Sequence, residues 1–105
     1  MKPIVIFCSV PSREVGVSIS RLLVQQSLVA CAQIVPEITS IYMWENKICE
    51  ESECLLVLKT IESKYKDVEQ IITINHPYEI PEILGFDTNF ISSKYRVWMD
   101  SALKV

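Results

Sequence analysis

Glycine is nearly missing from this chain, with two in 105 residues. No stretch is of low complexity, so no flexible linker is expected and the chain reads as one domain, residues 1–105. Basic residues are also in short supply: ten Lys and Arg against thirteen Asp and Glu give a net charge of −3. That balance disfavours nucleic acid or an anionic membrane as the main partner, since both reward a basic surface. No apolar run approaches the ~20 residues that span a bilayer. The segment from Met1 to Cys8 is too short for a secretion signal and lacks a small-residue cleavage site, so a cytoplasmic location is expected. The four cysteines, Cys8, Cys31, Cys49 and Cys54, form no CxxC pair. They sit in or beside apolar runs, which predicts free thiols rather than a disulfide framework.

Half of the residues are hydrophobic, and their spacing is informative. Pro3 to Val10 is a short β-branched run, predicted as a strand covered on both faces. Ser12 is a helix N-cap candidate with Glu14 in the first turn, and Val15, Ile19, Leu22 and Leu23 give residues 12–27 one apolar stripe. Leu28 to Val35 is a second apolar run, and strand character resumes from Ile38 to Trp44. Pro36-Glu37 between them predicts a bulge or kink. Ile38, Ser40, Tyr42 and Trp44 share one face of this strand, with Thr39, Ile41 and Met43 on the other. Glu45-Asn46-Lys47 is a turn, and Glu53 to Thr60 returns, making a long hairpin. Ser63 is a candidate cap for a second helix with Tyr65, Val68, Ile71 and Ile72 on one stripe, halted at Asn75-His76-Pro77. Ile80 to Phe86 is a short last strand, which either is an edge or starts at Pro81, because Pro81 has no N–H. Ile91, Tyr95, Trp98 and Ala102 predict a C-terminal helix.

The order β-α-β-β-α-β-α predicts an α+β, ferredoxin-like split βαβ fold with an appended helix. Right-handed crossovers put both inner helices on one face of a four-stranded antiparallel sheet. The other face and the overlong hairpin then need cover, which a homotrimer would supply.

Several strings together resemble the divalent-cation tolerance (CutA) family. They are Leu28 to Ile34, Pro36 to Ile48, Glu50 to Thr60, His76 to Ile83 and Tyr95 to Trp98, in that order. Three residues depart from the pattern. Asn75 stands where the family often has a second His, and Glu37 and Asn46 stand where it has Gly. The resemblance implies a ferredoxin-like homotrimer linked to divalent-metal tolerance, copper above all. It also implies Cys8 and His76 as the positions matching described copper ligands.

The residues themselves leave alternatives open. His76, the only histidine, suits a copper or zinc ligand, and equally a residue closing the second helix. Cys8 suits a soft metal, and equally a core position. Two ligands are too few for a closed metal site, so any copper or other divalent ion would be held weakly, or shared between subunits or with water. Tyr42, Trp44, Glu53, Lys59, Tyr78, Glu79 and Glu82 form a second set, read either as interface anchors or as the lining of a ligand cleft between subunits. Glu53 and Lys59 share a strand face, and Lys59 is expected beside a carboxylate. Three functions follow. The first is a trimeric, non-enzymatic protein of metal tolerance. The second is a signalling trimer whose clefts take a small metabolite or anion, with Lys59 and Arg13 supplying charge. The third, least favoured, is a small hydrolase using His76 with Glu79 or Glu82, because Ser9 to Arg13 offers no Gly-rich phosphate cradle.

Overall fold

The structure, a computed structural model, describes residues 1–105. Its elements are β1 (Pro3–Val10), α1 (Arg13–Gln25), β2 (Cys31–Trp44), β3 (Lys47–Ile61), α2 (Tyr65–Asn75), β4 (Leu84–Asp87) and α3 (Ser93–Leu103). The sheet order is β2-β3-β1-β4, with every pair antiparallel. The fold is therefore α+β with the ferredoxin-like strand order.

Alternation along the strands decides where the core sits. Ile4, Ile6, Cys8 and Val10 of β1 and Leu56 and Leu58 of β3 point to one face. There they pack with Ile19 and Leu23 of α1 and Val68 and Ile72 of α2. Gly16 lets α1 approach closely, because a Cβ there would lie 3.1 Å from Leu56 and 3.2 Å from Val10. Ser12 caps α1 by accepting from the Val15 N–H at 3.3 Å. The opposite sheet face carries Val5, Phe7, Leu55 and Val57, and Phe7 packs edge-on against Phe86 at 5.0 Å between ring centres.

Several expected boundaries move. Leu28–Ala30 form a loop, so β2 begins only at Cys31. β3 starts at Lys47, because the turn needs only Glu45 and Asn46, with φ of 49° and 64°. Two positive φ values are what a tight hairpin with native twist requires. Ser63 does not cap α2. It lies in a 3₁₀ turn, Glu62–Lys64, from which the Lys64 ammonium donates to Ser27 and Leu103 carbonyls. The last strand is Leu84–Asp87 rather than Ile80 to Phe86, since Pro81 lacks a donor. In α3 the buried residues are Met99 and Leu103, packed on Ala30 and Ile61, while Tyr95 and Trp98 stay exposed. The aromatic residues had suggested a different stripe.

Between Val35 and Ile38 the β2 register shifts: three steps along β2 match two along β3, from Leu55 to Glu53. This bulge changes which residues share a face. It brings Ser40, Tyr42 and Trp44 opposite Glu51, Cys49 and Lys47. Glu37 holds the bulge with φ of 56°. A side chain in that region costs roughly 1–2 kcal/mol, partly offset by the flexibility glycine adds to the unfolded chain. Glu37→Gly is therefore expected to raise stability by about 0.5–1 kcal/mol. A urea midpoint that fails to rise would count against strain at this bulge.

Candidate functional site

The site grows from the end of α2. Tyr65–Asn75 stops before Pro77, and His76 turns to extended backbone while its N–H still bonds the Ile72 carbonyl at 2.8 Å. That turn buries the imidazole against the end of β1. Nε2 lies 2.8 Å from the Ser9 carbonyl, and Nδ1 lies 3.1 Å from the Tyr78 backbone N–H. A carbonyl only accepts, so Nε2 must carry the proton and donate. Nδ1 then accepts from Tyr78, and both ring nitrogens are engaged. The Tyr78 ring stacks obliquely on the imidazole at 4.8 Å, and its hydroxyl donates to Glu53 Oε2 at 2.6 Å. One connected chain thus joins β1, the segment after α2 and β3.

Cys8 lies behind this chain. Its thiol, fully buried, contacts the Ser9 carbonyl at 3.7 Å. Burial, then the charges of Glu82 and Glu53, push its pKa up to about 12. Of the four free thiols, Cys31 and Cys49 are partly exposed. A thiol reagent at pH 8 is expected to modify those two first and Cys8 only on unfolding; early labelling of Cys8 would contradict this packing. The unfolded thiol loses its proton near pH 9, so the protonated form favours folding below that pH. Its contribution is lost as pH rises from about 9 towards 12, and Cys8→Ala is expected to flatten that fall.

In front of the chain lies a cleft of about 740 Å³. One wall is the hairpin, with Tyr42, Trp44, Glu51 and Glu53; the other is the segment after α2, with Tyr78, Glu79, Ile80 and Glu82. Tyr42 donates its hydroxyl to Glu51. That bond, chiefly, pushes the Tyr42 pKa up to about 12. Tyr78 is raised as well, by burial first and then by Glu53. Four carboxylates line the cleft, and no Lys or Arg does.

The structure thus gathers Tyr42, Trp44, Glu53, Tyr78, Glu79 and Glu82, with His76 and Cys8 just behind. Lys59 stands apart. It is six residues, about 20 Å, along β3 from Glu53. Its ammonium bonds Gln33 rather than the expected carboxylate, and it borders a smaller cavity of about 290 Å³ beside the start of α3. Arg13 is not on the cleft either. An anion there would therefore lack the two cations expected to hold it. Glu51 and Cys49 do line the cleft and were not expected to; the even spacing 49, 51, 53 was the available signal.

The metal expectation also changes. Cys8 and His76 both reach the Ser9 carbonyl, but one is a buried protonated thiol and the other has no free lone pair. No group of three or more His, Cys, Asp and Glu converges as a metal cage. The pair does not fit a copper ion as arranged.

Comparison with known proteins supplies the rest. The model of the CutA1 divalent ion tolerance protein family matches residues 4–102. The chain belongs to the CutA1 divalent ion tolerance family. Among CutA relatives, a "probable divalent-cation tolerance protein cutA homolog" of Encephalitozoon cuniculi is 38% identical over 102 residues, covering 97% of this chain and 89% of the relative. The chloroplastic CutA of Arabidopsis thaliana is 37% identical over 101 residues, 96% of this chain, which spans only 56% of that relative's length. The crystal structure of the divalent ion tolerance protein CutA1 from Ehrlichia chaffeensis superposes with a TM-score of 0.93 at 31% identity, covering 100% of this chain and 99% of that one. No helix here is long and apolar enough to cross a membrane.

Proposed function

We propose that this CutA1-family chain acts as a single-domain homotrimer in the cytoplasm. It serves divalent-cation tolerance by binding a ligand rather than by catalysis. The observation that carries this reading is the hairpin. Ile41, Met43 and Ile48 are 67%, 62% and 76% exposed on the face that α1 and α2 cover elsewhere. The hairpin outruns both helices, and the molecule is drawn out to 45 Å by 26 Å by 22 Å. Apolar surface of this kind favours association, and a small domain gains most from it. Light scattering on the full chain is expected to give three times the 12.0 kDa chain mass. A stable 12.0 kDa particle at micromolar concentration would end the reading.

Binding is favoured over catalysis because His76 has both nitrogens occupied, leaving no base for Glu79 or Glu82 to work with. A divalent ion such as copper would be held only weakly and away from Cys8 and His76, whose protonated thiol and occupied imidazole do not offer it lone pairs, with a second copy or water supplying the rest of its coordination. Four free thiols accord with a reducing compartment.

A further inference from the structure

The ligand class of the cleft can be read from its charge and its donors. The following rests on the cleft being a binding site, as proposed above. Glu53 is 6% exposed, yet no Lys, Arg or His forms an ion pair with it. Its Oε2 accepts from Tyr78. Its Oε1 accepts from no protein group, and is not sealed from solvent: it opens on the cleft. A buried carboxylate with a free oxygen and no counter-ion is costly, and a cation arriving from the cleft would relieve that cost.

The remaining polar groups point the same way. Tyr42 and Tyr78 have spent their hydroxyl protons on Glu51 and Glu53. Their oxygens remain as acceptors, and Glu79 and Glu82 add more. Among side chains, the indole N–H of Trp44 and two serine hydroxyls are left to donate, while the Cys49 thiol is turned to the Lys47 carbonyl at 4.0 Å. An anion would meet four carboxylates and few donors.

A divalent ion fits poorly, because no three carboxylate, imidazole or thiolate groups converge on one point to hold it. An ammonium needs about three acceptors and is also attracted to aromatic faces. Tyr42, Trp44 and Tyr78 supply those faces, and Ile80 gives an apolar wall for a carbon body.

The geometry points to a small organic cation as the ligand of this cleft, an amine whose ammonium sits on Glu53 Oε1 and whose apolar body lies against Tyr42, Trp44 and Ile80. The test uses three isosteric probes on the full chain at low salt: phenethylamine, 2-phenylethanol and phenylacetate, each followed by calorimetric titration. The amine is expected to bind at least tenfold tighter than the alcohol, and the acid not at all. Raising salt to 0.5 M is expected to weaken the amine and leave the alcohol alone. Glu53→Gln, and independently Glu82→Gln, are expected to remove most of the amine's advantage, so one poorly folding variant does not decide the matter.

Equal binding of amine and alcohol, or preference for phenylacetate, overturns the cation assignment while leaving a ligand cleft. Zinc titrating the same carboxylates, with no amine response, overturns it in favour of a metal. If no probe binds and light scattering shows a single chain, the inference and the function proposed above fall together.

Discussion

Ile41→Lys combined with Ile48→Lys is expected to turn the proposed three-chain particle into single chains at micromolar concentration, read as a threefold drop in mass by light scattering. Met43 and Ile48 are direct partners across the hairpin, and Ile41 lies two residues further along the same face. All three are exposed in the isolated chain, so two lysines cost the lone subunit little. In an assembled interface each would leave a charge without water or partner, which costs several kcal/mol and recurs in every copy. Circular dichroism should meanwhile keep the wild-type strand and helix signal. A doubly substituted protein that stayed trimeric would show that the hairpin is not the contact surface.

The second large effect is expected at His76. Replacing it with Ala removes the donor to the Ser9 carbonyl and the acceptor for the Tyr78 N–H, both in a buried setting. Leaving such groups unpaired costs about 1–3 kcal/mol each. His76→Ala should therefore lose about 2–4 kcal/mol in urea unfolding. It should also free the segment after α2, so that Tyr78 no longer reaches Glu53. Copper uptake should remain unchanged, because neither nitrogen is available in the native arrangement. A tenfold loss of copper affinity with little loss of stability would reverse that assignment and return His76 to a ligand's role.

The two substitutions probe different layers of the same design. In the proposed homotrimer the hairpin face is where copies meet, and His76 shapes the cleft within one copy. Both trace to local sequence. Glu45 and Asn46 make the tight turn, and Pro77 stops α2 so that His76 can turn inwards. The bulge at Glu37 links the layers. By inserting one residue opposite β3 it sets Tyr42 beside Glu51 and turns Ile41 and Met43 to the other face. Without it, the Tyr42 hydroxyl and the Ile41 side chain would exchange sides.

The strand and helix order, the side-by-side set of Tyr42 and Trp44, and the bulge were legible in the chain. Alternation and helical spacing are local, and Pro36-Glu37 is a local breaker. The aromatic residues of α3 misled, because periodicity cannot tell which of two apolar stripes, Tyr95 with Trp98 or Met99 with Leu103, faces Ala30 and Ile61. Ser63 misled for a similar reason. A capping residue is recognised by type, but a 3₁₀ turn tied down by Lys64 began α2 later.

Sequence by itself determined the βαββαβ order, the long hairpin and the family, since each rests on residue types and short spacings. Only the tertiary structure decided what Lys59, Cys8 and His76 do. Lys59 shares a strand face with Glu53, yet the length of β3 carries it away from the cleft to Gln33. Cys8 and His76 are 68 positions apart, and their common carbonyl at Ser9 exists only because α2 packs back on β1. Protonation and lone-pair availability depend on such neighbours, and a one-dimensional pattern contains none of them.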